Sequence, residues 1–342
     1  MKEIPRRPAP LSTTGIGSLP HTQLEMAMQQ ALVLDIPYLP ELPRRTPAES
    51  LAAGALEKLS GLRVAQNGSV WLDGAAWEKG ALALDAELDD AVEAGTLEGF
   101  APSASSCCAW PPFLWEVQSR KLAFAKVQCV GPATALAALA AGGAKISPRL
   151  ESQVSRLVLY RGIAMARAVR AAGAVPIVFL DEPLLAAVRK AGEAEQDREL
   201  EQLRQGILGL RNEGAITGLH CCGAADWAPL LRLGLDLLSF DATISLDKLL
   251  VERPDVERFL ENGGWFGLGV VATDTGDAAV VQMRLDATLQ KIEAIPKALQ
   301  KRVLSQSLLT PACGLGARTV LETGKVFDAL GKAQARLRAA AD

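Results

Sequence analysis

Four residues in the second half of the chain are of types that zinc binds. His220 and Cys222 are two positions apart at the end of an apolar segment, so on a strand their side chains point to the same side. Asp241 directly follows another apolar segment, and Cys313 lies in a turn after the last one. Imidazole, thiolate and carboxylate are all zinc ligands. The alternative is a histidine satisfied by the backbone beside cysteines packed as small apolar residues.

Zinc at such a site is able to activate a bound thiol. A free thiol has a pKa near 8.5, so it is mostly protonated at neutral pH, whereas the thiolate is the nucleophile. Zinc with one exchangeable position removes that proton by direct coordination. The residue types at 220, 222, 241 and 313 therefore suit a metal that generates a sulfur nucleophile from a bound substrate.

The elements that would position these residues alternate between strands and helices. We predict strands at residues 12–17, 36–39, 122–130, 175–180, 216–222, 235–240, 265–271 and 303–309. Strands separated by helices of ten or more residues are joined by parallel crossovers. About eight such units predict a (β/α)₈ TIM barrel, as a single domain over residues 1–342, rather than an open doubly wound sheet. In a barrel, the residues after the strands share one mouth.

Residues 62–112 interrupt this alternation. The pattern around Asn67-Gly68 predicts a β-hairpin over 62–77, and residues 95–112 are rich in glycine, serine, proline and alanine. We therefore predict an inserted hairpin and loop region, or lid, at 62–112. The Cys107-Cys108 pair in this region has no chemistry that the sequence identifies. His21, which follows Pro20, is predicted to be an exposed helix-cap residue.

Composition excludes several classes of protein. The chain has 342 residues, is 49% hydrophobic and 22% charged, and carries a formal net charge of −3, which is typical of a globular protein. With 36 basic and 39 acidic residues we expect neither a nucleic-acid nor a membrane partner. No apolar segment follows the basic residues of positions 1–10, so we expect no signal peptide and a cytoplasmic location. Six scattered cysteines do not form a disulfide framework.

Several segments together resemble the catalytic domain of cobalamin-independent methionine synthase. The most specific are His220-Cys221-Cys222, the segment 235–241, and the loop from Pro311 to Thr319 with its Cys-Gly-Leu sequence. Further similar segments are 13–20, Gly131-Pro132, the Asp-Glu-Pro end of 179–183, and 267–270. They occur in the family's order over nearly the whole chain. The resemblance implies the barrel shared with uroporphyrinogen decarboxylases and corrinoid-linked methyltransferases.

The resemblance also implies a reaction and its ligands. A zinc ion would be bound by His220, Cys222, Cys313 and the carboxylate of Asp241, where the family has glutamate. The implied activity is methyl transfer to a small-molecule thiol, with homocysteine giving methionine as the first expectation. The methionine synthases carry a second, N-terminal barrel, whereas the sequence of this chain predicts a single barrel. The methyl donor therefore stays open between a methylated corrinoid (methylcobalamin or a corrinoid protein) and methyltetrahydrofolate.

For the substrate's amino-acid group the resemblance implies five further positions. Asp181 is the predicted catalytic residue and would bind the ammonium group, with Glu41 as a weaker candidate for the same role. Ser18, with the backbone at Ile16 and Gly17, would bind the carboxylate. Two other functions remain open from the sequence: a uroporphyrinogen-decarboxylase-like enzyme, for which the thiols have no role, and a catalytically silent protein that binds zinc or a corrinoid.

Overall fold

A curled parallel sheet of six strands forms the centre of the fold. The computed structural model describes residues 7–185, 193–223 and 225–341. The sheet strands are β3 (Phe124–Val130), β4 (Val175–Asp181), β5 (Ile216–Cys221), β6 (Leu237–Asp241), β7 (Trp265–Val271) and β8 (Ser307–Pro311). They lie in sequence order, and every neighbouring pair is parallel. The prediction of one domain over 1–342 includes positions outside the described residues, and it stays a prediction.

Two extended segments, residues 11–19 and 36–42, lie between β8 and β3. The first segment pairs with β8, since Leu11 N donates to Ser307 O at 2.7 Å. Ile36 N donates to Thr13 O at 3.0 Å and thereby joins the two segments. Leu39 N donates to Lys126 O at 2.9 Å and completes the connection to β3. These bonds join the two edges of the curled sheet.

The structure thus confirms a TIM-barrel-like α/β fold with six regular strands. The predicted strands at 12–17 and 36–39 are extended segments that form only isolated parallel bridges. Proline explains part of this difference, because Pro37 and Pro40 have no N–H to donate to a ladder. A close packing contact adds to it, because Gly15 lies directly against the ring of Tyr38.

Helices follow most strands and cover the outside of the sheet. They are α1 (Leu24–Leu32), α2 (Leu51–Ala55), α3 (Gly74–Glu93), α4 (Trp110–Ser119), α5 (Pro132–Ala141), α6 (Pro148–Ala171), α7 (Glu193–Asn212), α8 (Trp227–Leu231), α9 (Ala242–Val251), α10 (Arg253–Glu261), α11 (Ala278–Glu293), α12 (Lys297–Ser305) and α13 (Val320–Ala341). Two short 3₁₀ helices span Pro47–Glu49 and Glu98–Phe100. Among the described helices, none combines the length and apolar character that crossing a membrane requires.

The inserted region differs from its prediction in one respect. The hairpin is present, with β1 (Leu62–Val64) antiparallel to β2 (Val70–Leu72) and Gly68 at a φ of 82° in the turn. The part between the hairpin and residue 95 is not loop, because α3 has 20 residues there. Residues 95–109 are largely loop as predicted, apart from one short 3₁₀ helix, and α4 begins at Trp110. Asp73 caps α3 by accepting a hydrogen bond from Ala76 N. The buried residues of α3 recur at helical spacing: Ala81, Leu84, Leu88 and Ala91.

The interior of the sheet changes from apolar to polar along the strands. At its amino-terminal end, one cluster of inward-facing side chains fills the space: Ile36, Phe124, Ile177, Phe179, Ile216, Leu237, Trp265 and Leu308. Because side chains alternate along a strand, the next positions on the same face lie nearer the carboxyl ends. Those positions hold Gln128, Asp181, His220 and Ser239, all buried. The fold therefore closes one end with apolar packing and places polar groups at the other.

Candidate metal centre

Three of the predicted zinc ligands come together at the polar end of the sheet. One ring nitrogen of His220 and the sulfur atoms of Cys222 and Cys313 all lie within 4.8 Å of one another. His220 is the penultimate residue of β5, Cys222 follows that strand, and Cys313 follows β8. Because β6 and β7 separate these two strands in the sheet, the curl of the sheet brings their ends together. The cluster thus lies across the mouth of the fold.

His220 is held in one orientation by its neighbour on β6. Its Nδ1 lies 3.0 Å from Ser239 Oγ, and the two residues are paired in the β5–β6 register. Gly267 gives Ser239 its space, because a Cβ at Gly267 would lie 2.7 Å from the Ser239 Cβ. His220 Nε2 is buried and has no hydrogen-bond partner among the described residues. A ring nitrogen left free while the other is fixed by a hydrogen bond is the usual state of a histidine ligand.

The two cysteine side chains are in direct contact. Their sulfur atoms are 3.0 Å apart, and both residues are free thiols. The hydrogen bond between the two sulfur atoms and the nearby His220 lower the pKa of Cys313. The same hydrogen bond, together with burial, raises the pKa of Cys222. A thiolate is the metal-binding form of cysteine, so a lowered pKa at Cys313 favours metal binding. The nitrogen and sulfur donors together fit zinc.

Asp241 has a different set of contacts. Its carboxylate does not belong to the group of atoms within 4.8 Å, as far as the described residues go. It caps α9 instead: Oδ1 accepts hydrogen bonds from Thr243 N at 2.8 Å and Thr243 Oγ1 at 2.6 Å. Burial raises its pKa. Its role as a fourth ligand stays a prediction, and a His-Cys-Cys set leaves a coordination position for a substrate thiol.

The first extended segment holds the loop that carries Cys313. Leu315 N donates to Ser18 O at 2.8 Å, and Gly316 N donates to Ser18 Oγ at 3.3 Å. Gly314 lies so close that a Cβ there would be 2.3 Å from Ser18 Oγ. On the outside, exposed Arg44 donates to Gly316 O at 2.9 Å. The predicted carboxylate-binding residue Ser18 is therefore a neighbour of the loop that carries Cys313.

The two carboxylates predicted to bind the substrate lie beside this cluster. Asp181 is paired with His220 in the β4–β5 register, is 5% exposed, and its Oδ1 has no hydrogen-bond partner among the described residues. Burial raises the pKa of Asp181 to about 6. Glu41, bridged to Ser18, has its pKa raised to about 7 by burial and by Asp181. An unpartnered buried carboxylate is suited to bind a cationic group.

The backbone at Ile16 and Gly17 is close to β3. Ile16 O accepts a hydrogen bond from Lys126 Nζ at 2.5 Å, so this carbonyl is already engaged. A Cβ at Gly17 would lie 2.9 Å from Gln128 Nε2. Sequence reasoning missed both Lys126 and Gln128. The signal was present, since these two polar residues alternate with apolar ones inside β3, at positions that face the interior.

His21 and the Cys107-Cys108 pair lie outside the metal-ligand cluster. His21 is buried, with 4% exposure, so the prediction of an exposed cap is wrong; burial lowers its pKa. Cys107 and Cys108 pack against the second extended segment through Glu49. The Glu49 carboxylate accepts hydrogen bonds from Leu42 N at 2.9 Å and Cys108 N at 3.1 Å. The cysteine pair thus belongs to a contact that holds the insertion against the barrel.

Similarity to known proteins is found among solved structures. No protein-family model matches the chain, and no curated protein matches it. A B12-independent methionine synthase from Shewanella sp. W3-18-1, solved in complex with selenomethionine, is similar over 66% of this chain and 67% of that chain, with 18% identity and a TM-score of 0.44. A D-psicose 3-epimerase solved in the presence of D-fructose is similar over 67% and 93%, with 8% identity and a TM-score of 0.35. Neither similarity identifies a function for this chain, which must be inferred from the residues of the site.

Proposed function

We propose that the protein is a zinc-dependent methyltransferase that transfers a methyl group to the sulfur of a small thiol, with homocysteine as the substrate. The observation that carries this proposal is the group formed by His220, Cys222 and Cys313, whose ligand atoms lie within 4.8 Å of one another. Asp241 is proposed as a fourth ligand. Its carboxylate would then exchange its hydrogen bonds to Thr243 for a bond to the metal. The donor, a methylated corrinoid or methyltetrahydrofolate, is left to the experiment.

Zinc bound here would supply the acidity that turns the substrate thiol into a thiolate. The chain's residues would do the rest. Ser239 fixes the His220 ring through Nδ1 and leaves Nε2 as the donor. Asp181 is placed beside His220 by the strand register, so a substrate whose sulfur is at the cluster would have its ammonium group near this carboxylate. Ser18 would position the substrate carboxylate next to the Cys313 loop.

Burial makes these interactions effective. His220 and Asp181 are 2% and 5% exposed, so water competes weakly for them and electrostatic attraction is stronger than at a surface. The two cysteines contribute donors on a rigid strand end and on a loop fixed by Ser18. A thiolate held in this way would attack a methyl carbon in line with its leaving group, and orientation lowers the barrier of such a step.

The test begins with metal content. Wild-type protein is expected to bind one zinc ion per chain, and Cys313→Ser is expected to lower zinc affinity by about 100-fold or more, because a ligand is lost. Competition with a chromogenic chelator measures this affinity. Cys108→Ser is the matched control, since it removes a half-buried thiol outside the cluster and should retain wild-type affinity.

Activity is then assayed with homocysteine and each donor separately. Methionine formed from methylcobalamin or from methyltetrahydrofolate by wild type, and lost in Cys313→Ser, would support the proposal and identify the donor. Stoichiometric zinc without methyl transfer from either donor would instead indicate a protein that only binds. Full zinc affinity in the Cys313→Ser protein would contradict the metal site itself.

A further inference from the structure

Lys126 is a buried cation that the proposed reaction does not use. It is 1% exposed, on β3, with its side chain directed into the barrel interior. Nζ donates to Ile16 O at 2.5 Å and to Gln128 Oε1 at 3.1 Å, and it lies 4.9 Å from the centre of the Phe179 ring. A buried ammonium group is costly unless charge and hydrogen bonds compensate for it.

The hydrogen-bond partners of Lys126 are both neutral. Within the described residues no carboxylate lies within 4.0 Å of Nζ, so Lys126 has no direct ion pair. The charges that act on it are those of Asp181 and Glu41, which raise its pKa, while burial lowers the pKa to about 8. The strand β3 that carries Lys126 pairs with β4, which ends at Asp181, and Lys126 is bridged to Tyr38 in the segment that also contains Glu41. The compensating charge of Lys126 therefore comes from two carboxylates on neighbouring elements, which face the candidate substrate position.

The other charged groups around this pocket are already balanced. Arg161 also acts on Glu41, but its guanidinium binds Glu57 at 2.8 Å. His220 and Cys313 act on Asp181, and both belong to the proposed metal site, where the metal charge would balance the thiolate. When both carboxylates are ionised, above the raised pKa values of Asp181 and Glu41, one ammonium against two carboxylates leaves the pocket with one negative charge.

We propose that Lys126 is a positioning and specificity-determining residue of this site. It holds the Ile16 carbonyl and compensates one of the two carboxylates, so that the pocket accepts one ammonium group, that of an α-amino thiol. This inference rests on the proposed function, because it assumes that the substrate lies between the metal cluster and Asp181. Without Lys126, the pocket would carry two negative charges and would favour cations over anions more strongly.

Two ligands of opposite charge test this net charge of the pocket. The affinities of 3-aminopropane-1-thiol, a cation, and 4-mercaptobutanoate, an anion, are measured by calorimetry with the zinc-loaded protein and no methyl donor. Lys126→Met is expected to shift the ratio of the two affinities toward the cation by about tenfold or more, because one charge at short range in a buried site has at least this effect. Glu41→Gln is expected to shift the same ratio toward the anion by a similar factor.

The double variant separates charge from structure. Lys126→Met combined with Glu41→Gln restores the net charge, so its ratio should return to within about threefold of wild type. A loss of packing would not be repaired by a second substitution. Lys301→Met, which removes an exposed lysine with the same change in net charge, should leave the ratio unchanged.

The outcomes are distinct. Opposite shifts in the single variants and cancellation in the double variant would support the inference. Shifts in the same direction, a double variant that does not cancel, or a wild type that binds neither ligand would overturn it. If Lys126→Met does not fold, the inference is still tested by two results. Glu41→Gln must shift the affinity ratio toward the anion, and the double variant must return it to within about threefold of wild type. A wild type that binds both ligands but transfers no methyl group would contradict the proposed function. The affinity ratios would still test the role of Lys126 in the charge of the pocket, because they are measured without a methyl donor.

Discussion

At the scale of single residues, burial at the polar end of the barrel determines how the site groups behave. Glu182 shows this most simply, because it lies next to Asp181 but does not face the substrate position. Its carboxylate accepts hydrogen bonds from Ala133 N at 3.0 Å and Thr134 N at 2.7 Å, in the first turn of α5. Gly131 provides the space, since a Cβ there would lie 2.0 Å from Glu182 Oε1. Glu182 is therefore a cap for α5.

Burial raises the pKa of Glu182 to about 7, and this makes stability depend on pH. Because the folded pKa exceeds the unfolded value of about 4.3, the folded protein binds more protons between these values, and stability falls as pH rises through this window. Glu182→Gln does not titrate. Between pH 4.5 and 7.5, wild type should therefore lose about 3 kcal/mol of unfolding free energy relative to this variant.

Urea denaturation of both proteins at several pH values measures this difference. Wild type should lose stability relative to Glu182→Gln as the pH rises, and the offset between them at low pH gives the cost of the lost acceptor. A constant difference across the range would mean that Glu182 titrates normally, so burial would not control it.

At the scale of elements, the metal cluster depends on a loop held by an irregular segment. The loop after β8 has no regular structure of its own, and its position comes from Ser18 in the first extended segment. Glycine at 314 permits this close contact, because any side chain would meet Ser18 Oγ. The position of Cys313 therefore depends on packing between segment 11–19 and the loop after β8, which neither local sequence determines by itself.

Gly314→Ala tests this packing. The added Cβ would lie 2.3 Å from Ser18 Oγ, so the loop must shift and carry Cys313 with it. We expect a loss of zinc affinity of about 10- to 100-fold, the range typical of changes to groups that orient a ligand. In Gly314→Ala with Ser18→Ala, the nearest remaining contact at this position is 3.5 Å, which is ordinary, so affinity should recover.

The measurement is chelator competition, as for the ligand variants. Ser18→Ala alone is the matched control. It removes the hydrogen bond to Gly316 without adding a clash and keeps the backbone bond from Leu315 N to Ser18 O, so its zinc affinity should stay near that of wild type. If Gly314→Ala binds zinc as well as wild type does, the position of the loop is not what places Cys313.

At the scale of the whole molecule, the two extended segments join the edges of the six-stranded sheet. The ring of Tyr38, 1% exposed, packs against Gly15 where these segments meet. This contact lies far in sequence from β3 and β8, yet the residues next to it, Thr14 and Leu39, donate hydrogen bonds to β8 and β3. Stability of the closed arrangement should therefore be sensitive to one methyl group at this point.

Gly15→Ala is expected to lower the free energy of unfolding by about 1–3 kcal/mol, because its Cβ would lie 2.3 Å from the Tyr38 ring and the interior is densely packed. Gly324→Ala in α13 is the control. No atom lies within 4 Å of the added Cβ there, so the change should stabilise the protein by up to about 1 kcal/mol through helix propensity. Urea denaturation compares the two, and a Gly15→Ala protein as stable as wild type would show that the closure tolerates displacement.

Local patterns in the sequence determined a large part of the fold. The six regular strands, their parallel order and the hairpin at Asn67-Gly68 follow from periodicity and turn residues, which depend on neighbours in the chain. The same alternation predicts that His220 and Cys222 share a side of β5. Helix α3 was missed although its apolar residues recur at helical spacing, because the insertion was interpreted as hairpin and loop throughout.

Only the tertiary structure decided which distant groups meet. Cys313 is 91 residues from Cys222, and their contact depends on the curl of the sheet and on the loop position that Ser18 sets. Asp241, equally well placed by sequence, instead caps α9. Asp181 and Glu41 act electrostatically on Lys126 although the three residues come from separate elements, which strand register and segment closure bring together. Sequence periodicity gives the direction of a side chain, whereas long-range packing gives its neighbours.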